Sequence, residues 1–291
     1  MSKTDNVKGY EDKKTINWEI TTYGKLLYKT IKKEVYMKEV LILFSGGKDS
    51  LLSTVRYLDC GYKVYLITYD NSCGIGMKNI KSAVNRLIKK YGNNRVEFIG
   101  TKDISPIFRN FIVPFYNYKF DYIIENFGTI SISQFNCLAC RMAMYVASII
   151  ICKQKNISIV VDGARISQLF VIEQEKMLNK FTDFFKEYNL KIDYPVKNIE
   201  SDWDLKNELL IRGIIPKTIE PQCLLGCPIS KENINEELIN SICNVYDKYL
   251  KEKAIKVIEN YNNINICCYP IERTLCYEQK RSARGSVRSF V

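Results

Sequence analysis

The feature that most constrains the fold is an apolar run that ends directly in a short loop rich in glycine and hydroxyl groups. Residues 40–44 (VLILF) have the length and composition of a buried strand, and the loop SGGKDS at residues 45–50 follows at once. Residues 49–60 carry apolar side chains at helical spacing, and Gly61 stands where such a helix would end. The pattern predicts a strand, a loop and a helix in that order.

The loop has the composition of an anion-binding site. The adjacent Gly46 and Gly47 let the backbone turn sharply and bring N–H groups close to a ligand, and the following helix N-terminus favours negative charge. Lys48 adds a mobile positive charge, and Ser45 and Ser50 add hydroxyl donors. The Walker pattern GxxxxGK[ST] is absent, so we predict a phosphate-binding loop of another type.

Strand-like and helix-like segments then alternate along the chain. Apolar runs at residues 64–69, 95–99 and 157–161 predict strands, and helix-spaced apolar residues between them predict helices, one of them over residues 137–153. Such alternation is typical of a parallel sheet with helices on both faces and a ligand site at the carboxyl ends of the strands. The predicted fold class is therefore α/β, with a doubly wound parallel sheet of the Rossmann type.

The chain divides into three predicted segments. Residues 1–37 form an N-terminal extension, residues 38–230 the α/β domain, and residues 231–291 a helical C-terminal segment with a basic tail. Within the α/β domain, residues 106–127 are rich in aromatics and contain Pro114, which predicts a broken helical insertion whose aromatics belong to the core.

Charge and hydropathy restrict the environment and the partners. Lys and Arg number 43 against 32 Asp and Glu, a net charge of +11 that is compatible with a nucleic-acid partner. The first fifteen residues are polar, and the longest apolar stretch, residues 142–152, is shorter than the roughly 18 residues that span a bilayer. We therefore expect a cytoplasmic protein without a membrane segment, and a buried helix at residues 142–152.

The chain contains no histidine and eleven cysteines. A histidine general base, a Ser-His-Asp triad and a His-ligated metal are thereby excluded. Cysteines in a cytoplasmic protein favour metal, cluster or redox chemistry over a disulfide framework.

Two cysteine pairs are candidates for this chemistry. Cys137 and Cys140 lie three residues apart and would share one face of a helical turn, and Cys223 and Cys227 lie in a segment with Gly and Pro. Four thiolates suit Zn²⁺, and three of them suit an iron-sulfur cluster with one open iron. The remaining cysteines are expected to be structural at Cys60, Cys152 and Cys243 and are unassigned at Cys73, Cys267, Cys268 and Cys276.

The loop sequence resembles the SGGxDS signature of the PP-loop ATP pyrophosphatases, which split ATP into AMP and pyrophosphate. The resemblance implies an adenine nucleotide α-hydrolase-like fold in which the loop holds pyrophosphate and the end of the second strand meets adenosine. It implies Mg²⁺ and the ATP-binding residues Ser45, Gly46, Gly47, Lys48, Asp49, Ser50, Tyr69, Asp70, Asn71, Asp162, Gly163 and Arg165.

The end of the fourth strand departs from the family pattern. The family often has a Gly-His-x-x-Asp-Asp-like sequence there, whereas this chain has Gly163-Ala164-Arg165 and no acidic pair. Either Asp162 or Asp49 serves the magnesium, or Arg165 acts as a phosphate contact.

The cysteines resemble those of tRNA-thiolating PP-loop enzymes, which carry a CxxC followed by a basic residue, here Cys137 to Arg141. Residues 221–224 (PQCL) also resemble the segment of pyridinium-dinucleotide sulfurtransferases that holds their reactive cysteine. These similarities imply an ATP-dependent sulfurtransferase that adenylates a carbonyl oxygen and replaces it with sulfur from a persulfide or sulfide, with a tRNA nucleobase as the favoured substrate. The implied catalytic residues are Lys48, Asp49, Cys223 and Cys227.

Other functions stay open at this point. One is a ligase resembling the 7-cyano-7-deazaguanine synthases, which form an amide or nitrile and bind zinc through four cysteines near their C-terminal end. A sulfurtransferase for a small molecule and a nucleotide sensor without catalysis are further alternatives, and the chain could form a homodimer.

Overall fold

The first described part of the chain alternates strands and helices. The computed structural model describes residues 37–76, 79–216, 222–225, 234–261 and 268–269. The elements up to the middle of the chain are β1 Glu39–Leu43, α1 Lys48–Asp59, β2 Lys63–Asp70, β3 Gly74–Ile75, α2 Ile80–Tyr91, β4 Val96–Asp103, α3 Ser105–Tyr116, α4 Phe120–Phe127, α5 Ile132–Lys155 and β5 Ile159–Val161.

The second part contains shorter elements. They are 3₁₀ turns at Ile166–Gln168 and Val171–Glu173, α6 Glu175–Lys186, β6 Lys191–Asp193, α7 Asp202–Ile211, β7 Gln222–Cys223, α8 Glu236–Val245, a π-helical turn Tyr246–Leu250, α9 Lys251–Glu259 and β8 Cys268–Tyr269.

The main sheet has the order β6-β5-β1-β2-β4-β8. Its described pairs are parallel, apart from β8, which runs antiparallel to β4. From the central β1, the chain first builds the sheet through β2 and β4 and later returns to the other side through β5 and β6. The predicted doubly wound α/β fold is confirmed, and the strand order reverses between β1 and β5, where such folds bind ligands.

The side chains of β1 alternate between two apolar cores, one on each face of the sheet. Leu41 and Leu43 belong to the core that includes α3 and α5, whereas Val40, Ile42 and Phe44 belong to the core that includes α1 and α2. Successive side chains of a strand point to opposite faces, so one short apolar run serves both layers.

Helix α5 is the central helix of one face. It begins after Ser131, whose side chain accepts a hydrogen bond from the Gln134 N–H, and it is longer at both ends than predicted. Among the described residues, it is the one helix long and apolar enough to cross a membrane by length and composition, but 78% of its most apolar window is buried inside the protein. This agrees with the prediction of a buried core helix.

The aromatic insertion is a pair of helices, α3 and α4. Pro114 lies inside α3, and the break comes three residues later, between the two helices. The phenylalanines of this region are in the core, as predicted, whereas several tyrosines and one phenylalanine are not. The buried aromatics are Phe108, Phe111, Phe115 and Phe127, and the exposed ones are Tyr116, Tyr118, Phe120 and Tyr122.

The helices after residue 234 pack onto the same core as α5. Buried residues of α8, the π-helical turn and α9, such as Ile242, Leu250 and Val257, join the core that contains α5. The helical C-terminal portion is therefore present, while the basic tail at residues 281–291 lies outside the described residues. The division at residues 1–37, 38–230 and 231–291 stays a prediction.

Candidate functional site

The loop between β1 and α1 is curled by its own hydroxyl groups. Gly46 has φ +78°, a conformation that other residues adopt at a cost. The Gly47 N–H donates to Ser45 Oγ over 3.2 Å, Ser50 Oγ donates to the Gly47 carbonyl over 3.1 Å, and the two hydroxyl oxygens lie 3.2 Å apart. Helix α1 begins at Lys48, so its first N–H groups lie at this loop.

Gly163 lets the end of β5 pack against the loop. A Cβ atom at Gly163 would lie 2.9 Å from the Ser50 nitrogen and 3.0 Å from the Asp49 carbonyl carbon, which are backbone atoms that cannot swing away. The residue type at this position is therefore set by the close approach of two chain segments, in addition to any turn preference.

A chain of ion pairs covers the start of α1. Lys48 Nζ lies 2.5 Å from Asp202 Oδ2, and the other oxygen of Asp202 accepts from Arg165 over 2.6 Å. Arg165 Nε lies 2.9 Å from Asp49 Oδ1, and Gln168 donates to Asp49 Oδ2 over 2.9 Å. Three predicted site residues thus lie together, and two further residues, Asp202 and Gln168, join them without any signal in a local motif.

The two cations act on the Asp202 carboxyl. Hydrogen bonds from Lys48 and, less strongly, from Arg165 lower the pKa of Asp202 below its ordinary value of 3.8. The carboxylate therefore stays charged between two cations at neutral pH, a place where an anionic ligand group would also be favoured.

Asp162 is engaged by other side chains of the protein. It is ion-paired with Arg141, and the Tyr145 hydroxyl donates to it over 2.6 Å. Arg141 also donates to Glu173 Oε1 over 3.0 Å, and the Arg165 N–H donates to Glu173 Oε2 over 3.3 Å. Glu173, which the sequence did not indicate as a site residue, is thus joined to both Arg141 and Arg165.

The Glu173 carboxyl has an unusual proton affinity. Burial, with a smaller contribution from the negative charges of Asp162 and Asp49, raises its pKa from 4.5 to about 7, although Arg141 and the Arg165 N–H act in the opposite direction. A carboxyl of this kind exchanges its proton close to neutral pH.

The end of β2 forms another wall. Tyr69 and Asn71 line the same cavity as the loop, and the Tyr69 hydroxyl lies 2.7 Å from the Ser148 hydroxyl. The Asp70 side chain instead accepts from the Ser72 N–H over 2.8 Å and is not among the residues that line the cavity.

Three of the four predicted metal-ligating cysteines face this cavity. Cys137 and Cys140 come from α5, and Cys223 comes from β7, which pairs with β3 so that Gly74 lies opposite Cys223. Asn71 Nδ2 lies 3.2 Å from Cys140 Sγ and 3.9 Å from Cys223 Sγ. Cys227 lies outside the described residues.

The predicted four-cysteine site is incomplete among the described residues. No group of three or more His, Cys, Asp or Glu side chains that could hold a metal occurs among the residues that the structure describes. Burial, and then the neighbouring Cys223 and Cys137, raise the pKa of Cys140 to about 12, so this thiol is protonated at neutral pH unless a metal displaces the proton. The four-cysteine zinc or iron-sulfur site stays a prediction.

The expectation for the other cysteines is partly wrong. Cys152 and Cys243 are buried, as expected of structural residues, but Cys60 is exposed because it lies at the C-terminal cap of α1 and not on its apolar face. Cys73 lies near Cys223, and burial followed by the charge of Cys223 raises its pKa.

One cavity joins these features. It has a volume of about 350 Å³, at the lower end of the range for small-ligand pockets. Ser45, Asp49 and Ser50 line it at the phosphate loop, whereas Cys140 and Cys223 line it elsewhere. Sequence reasoning missed further lining residues, namely Phe108, Asn136, Met144, Gln168, Phe170, Ile172, Glu173 and Leu225.

Comparisons with known proteins agree with this geometry. Residues 36–174 match the family model described as thiamine biosynthesis protein (ThiI). No curated protein sequence matches the chain.

One solved structure shares the fold, and two others match the chain with lower TM-scores. A 4-thiouridine synthetase in complex with RNA and ATP matches with 13% identity and a TM-score of 0.50, covering 75% of this chain and 53% of that chain. A predicted subunit of a tRNA methyltransferase from Methanocaldococcus jannaschii matches with 18% identity and a TM-score of 0.36, covering 68% of this chain and 100% of that chain. NMN synthetase from Francisella tularensis matches with 13% identity and a TM-score of 0.32, covering 74% of this chain and 87% of that chain. The chain thus spans about half the length of the thiouridine synthetase.

Proposed function

We propose that this protein is an ATP-dependent sulfurtransferase, because residues 36–174 match the thiamine biosynthesis protein (ThiI) family model and the loop at residues 45–50 resembles the PP-loop signature. It adenylates a carbonyl oxygen of a tRNA nucleobase, releases pyrophosphate and replaces the oxygen with sulfur. The observation that carries the proposal is that the phosphate loop and three thiols line one cavity. Such a cavity brings an activated carbonyl and a sulfur nucleophile within reach of each other.

The phosphate end of the cavity suits pyrophosphate. The N–H groups of the loop and of the first turn of α1 are hydrogen-bond donors for phosphate oxygens, and Lys48 and Arg165 are the nearby cations. In the ATP-free protein, the Asp202 carboxylate lies between these two cations. We infer that phosphate oxygens take its place when ATP binds.

Asp49 is the carboxylate that best suits magnesium. Mg²⁺ prefers one or two carboxylates together with substrate phosphates, and Asp49 lines the cavity beside the loop. Asp162 lines the same cavity and, like Asp49, has an arginine partner. We assign Asp162 the structural role because its side chain is the more buried of the two, 7% exposed against 13% for Asp49. When bound, the ion neutralises charge on the departing pyrophosphate.

The reaction proceeds by activation and displacement. A carbonyl oxygen of the substrate attacks the α-phosphorus, the bond to the β-phosphate oxygen breaks, and the loop donors stabilise the leaving pyrophosphate. A hydrosulfide then attacks the activated carbon and expels AMP. Where the donor is a persulfide on Cys223, its outer sulfur makes this attack, and the Cys227 thiolate then attacks the Cys223 sulfur, which releases the thiolated base and leaves a Cys223–Cys227 disulfide for an external thiol to reduce. No step requires the metal or cluster.

Three features support an RNA substrate. The net charge of +11 favours a polyanion. The 4-thiouridine synthetase that shares the fold is a complex with RNA. The Tyr116 hydroxyl donates to Asn136, a residue that lines the cavity, so the exposed Tyr116 adjoins the cavity and offers a surface on which a base can stack.

The test is a reconstitution with ATP, Mg²⁺, sodium sulfide and an unmodified tRNA transcript. We expect AMP, pyrophosphate and one thiolated nucleoside, detected by mass spectrometry of the digested RNA. ADP and phosphate as products would contradict the AMP-forming chemistry. AMP formation with ammonia and a carboxylate, without thiolation, would favour the amide-forming ligase, and iron and zinc analysis of anaerobically purified protein would test the predicted four-cysteine site.

A further inference from the structure

Two buried carboxylates share one guanidinium on the wall of the cavity. Arg141 pairs with both Asp162 and Glu173, and each of these two acids is 5% exposed. The trio has one more negative than positive charge, and burial makes an uncompensated charge costly. The binding of a proton by one of the carboxyls relieves this cost.

The surroundings assign that proton to Glu173. Asp162 has a second donor in the Tyr145 hydroxyl at 2.6 Å, whereas Glu173 has the Arg165 N–H at 3.3 Å. Asp49 adds a further negative charge near Glu173, and the pKa of Glu173 is raised to about 7. Tyr145 does not take up the negative charge of this group, because burial and Asp162 raise the pKa of its hydroxyl and keep it neutral.

The proposed reaction needs a proton acceptor. In a uracil base, each of the two carbonyls lies beside the ring N3–H, so the argument applies to a uracil as the base that is thiolated. When the carbonyl oxygen bonds to the α-phosphorus and pyrophosphate leaves, the ring must give up that N–H proton to remain neutral. The chain has no histidine to receive it.

We propose that Glu173 is the general base that removes the ring N–H proton as the carbonyl oxygen is adenylated. Glu173 lines the cavity, so a base bound there can contact its carboxylate. The proton passes from ring nitrogen to Glu173 and then to solvent, and the incoming hydrosulfide brings the proton that the thiolated ring keeps. This inference rests on the proposed function and adds the acid-base group that the sulfurtransferase reaction requires.

The first experiment measures pyrophosphate release against pH with an unmodified tRNA transcript, ATP, Mg²⁺ and sodium sulfide. The total sulfide is adjusted so that the hydrosulfide concentration is the same at every pH, because hydrogen sulfide loses its proton in the same pH range. For the unchanged protein, kcat should rise about tenfold per pH unit below a midpoint near 7 and level off above it. Glu173→Gln should lower kcat by roughly 10² or more and abolish this midpoint, with the KM for ATP unchanged. Glu173→Asp, which keeps a carboxyl, should restore part of kcat and the pH dependence.

A matched control is Glu175→Gln, the same substitution at an exposed glutamate two residues away, whose one ion pair is a 3.7 Å contact with Lys197. It should leave kcat and its pH midpoint unchanged. If Glu173→Gln keeps the midpoint, or keeps kcat within about threefold, Glu173 is not the base.

A second measurement does not depend on activity. In the full chain with ¹³C-labelled glutamate carboxyls, one resonance is lost in Glu173→Gln, and its chemical shift should titrate near neutral pH in the unchanged protein. A midpoint below about 5.5 would overturn the base whatever the activity. A neutral midpoint in a protein that thiolates no RNA would refute the proposed function and, with it, this role, while leaving the proton-binding group established.

Discussion

The two ends of the cavity differ in charge and in origin. At the phosphate end, Asp49 lines the cavity. Lys48 and Arg165, from the loop and from the chain just after β5, lie beside it and are paired with Asp49 or Asp202. At the thiol end, Cys140 and Cys223 come from segments over eighty residues apart, and Asn71 is the side chain between them.

The difference shows how each end can work. The phosphate end holds charges in place before ATP arrives, so little reorganisation is needed when phosphate replaces one carboxylate. The thiol end is half-buried, and the Asn71 amide contacts both Cys140 and Cys223 there. We therefore expect ATP cleavage and sulfur transfer to respond separately to substitution.

The largest expected effect separates the two ends. With a persulfide as the sulfur donor, Cys223→Ser should lower thiolation by at least about 10³-fold, because it removes the thiol that carries the transferred sulfur, while pyrophosphate release, which precedes sulfur transfer, continues for at least one turnover. The two products are measured in the same reaction, as thiolated nucleoside and as pyrophosphate. Cys152→Ser, at a buried thiol of α5 that is not among the residues lining the cavity, should leave the ratio of the products unchanged. An equal loss of both products in Cys223→Ser would show that the ends are not separable.

Substitutions at the phosphate end should stop the reaction at adenylation, before the sulfur-transfer step. Lys48→Ala or Asp49→Ala should lower AMP formation by roughly 10² or more, because each removes charge that stabilises the leaving pyrophosphate, directly or through magnesium. Initial rates at saturating ATP measure this. The exposed Lys89→Ala is the control for loss of a lysine. Rates within a few fold of the unchanged protein would show that neither residue contributes to catalysis.

Glu173 and, at the thiol end, Cys140 should change the stability of the protein in different pH ranges. The pKa of Glu173 is raised from 4.5 to about 7 in the folded protein, so the folded state binds more protons than the unfolded state in this window. The free energy of unfolding should therefore fall as pH rises from about 4.5 to 7, by up to about 3 kcal/mol. Cys140, with its pKa raised from 9 to about 12, should act in the same direction only above pH 9.

Urea unfolding at several pH values measures these contributions. Glu173→Gln should flatten the decline between pH 4.5 and 7 and leave the decline above pH 9 in place. Cys140→Ala should do the reverse. A Glu173→Gln protein with an unchanged decline would contradict the assignment of the proton.

A smaller effect is expected from the contact between β5 and the loop. Gly163→Ala places a methyl group 2.9 Å from the Ser50 nitrogen, so the loop must shift, at a cost of about 1–3 kcal/mol in stability and about tenfold in ATP affinity. Gly61→Ala is a control, because Gly61 has φ +86° but open space around it. That variant should lose stability and keep its ATP affinity, as measured by calorimetry.

The smallest effect concerns the carboxylate that competes with phosphate. Asp202→Asn should raise the affinity for pyrophosphate about two- to fivefold, because the side chain is half exposed and its ion pairs are correspondingly weak. Asp204→Asn, two residues further along α7, should not change the affinity. A loss of affinity in Asp202→Asn would mean that Asp202 binds the ligand complex instead of competing with it.

Sequence patterns were sufficient to predict the elements whose structure depends on residues close together in the chain. The strand, loop and helix at residues 39–59 follow from one apolar run, two glycines and a helical stripe, and α5 follows from its apolar content. Helix α6 was missed even though Met177, Phe181 and Phe184 lie on its buried side. Strand β6 was missed because three residues with one buried side chain give no measurable periodicity.

The residues of the site also fall into those that the sequence could identify and those that it could not. Residues 45–50 could be identified from their order alone, because a loop that grips phosphate uses neighbouring backbone groups. Gln168, Glu173 and Asp202 could not, since each lies at a 3₁₀ turn or a helix start with no motif around it.

By itself, the sequence determined the alternating α/β order, the phosphate loop and the absence of histidine chemistry, because these depend on residue type and on spacing over a few residues. The tertiary structure alone decided which charges neutralise Lys48 and Asp49, which carboxyl binds a proton near neutral pH, and which thiols share the cavity with the loop. Those properties depend on burial and on distances between segments brought together by the sheet, and both Coulomb energy and desolvation change steeply over a few ångströms.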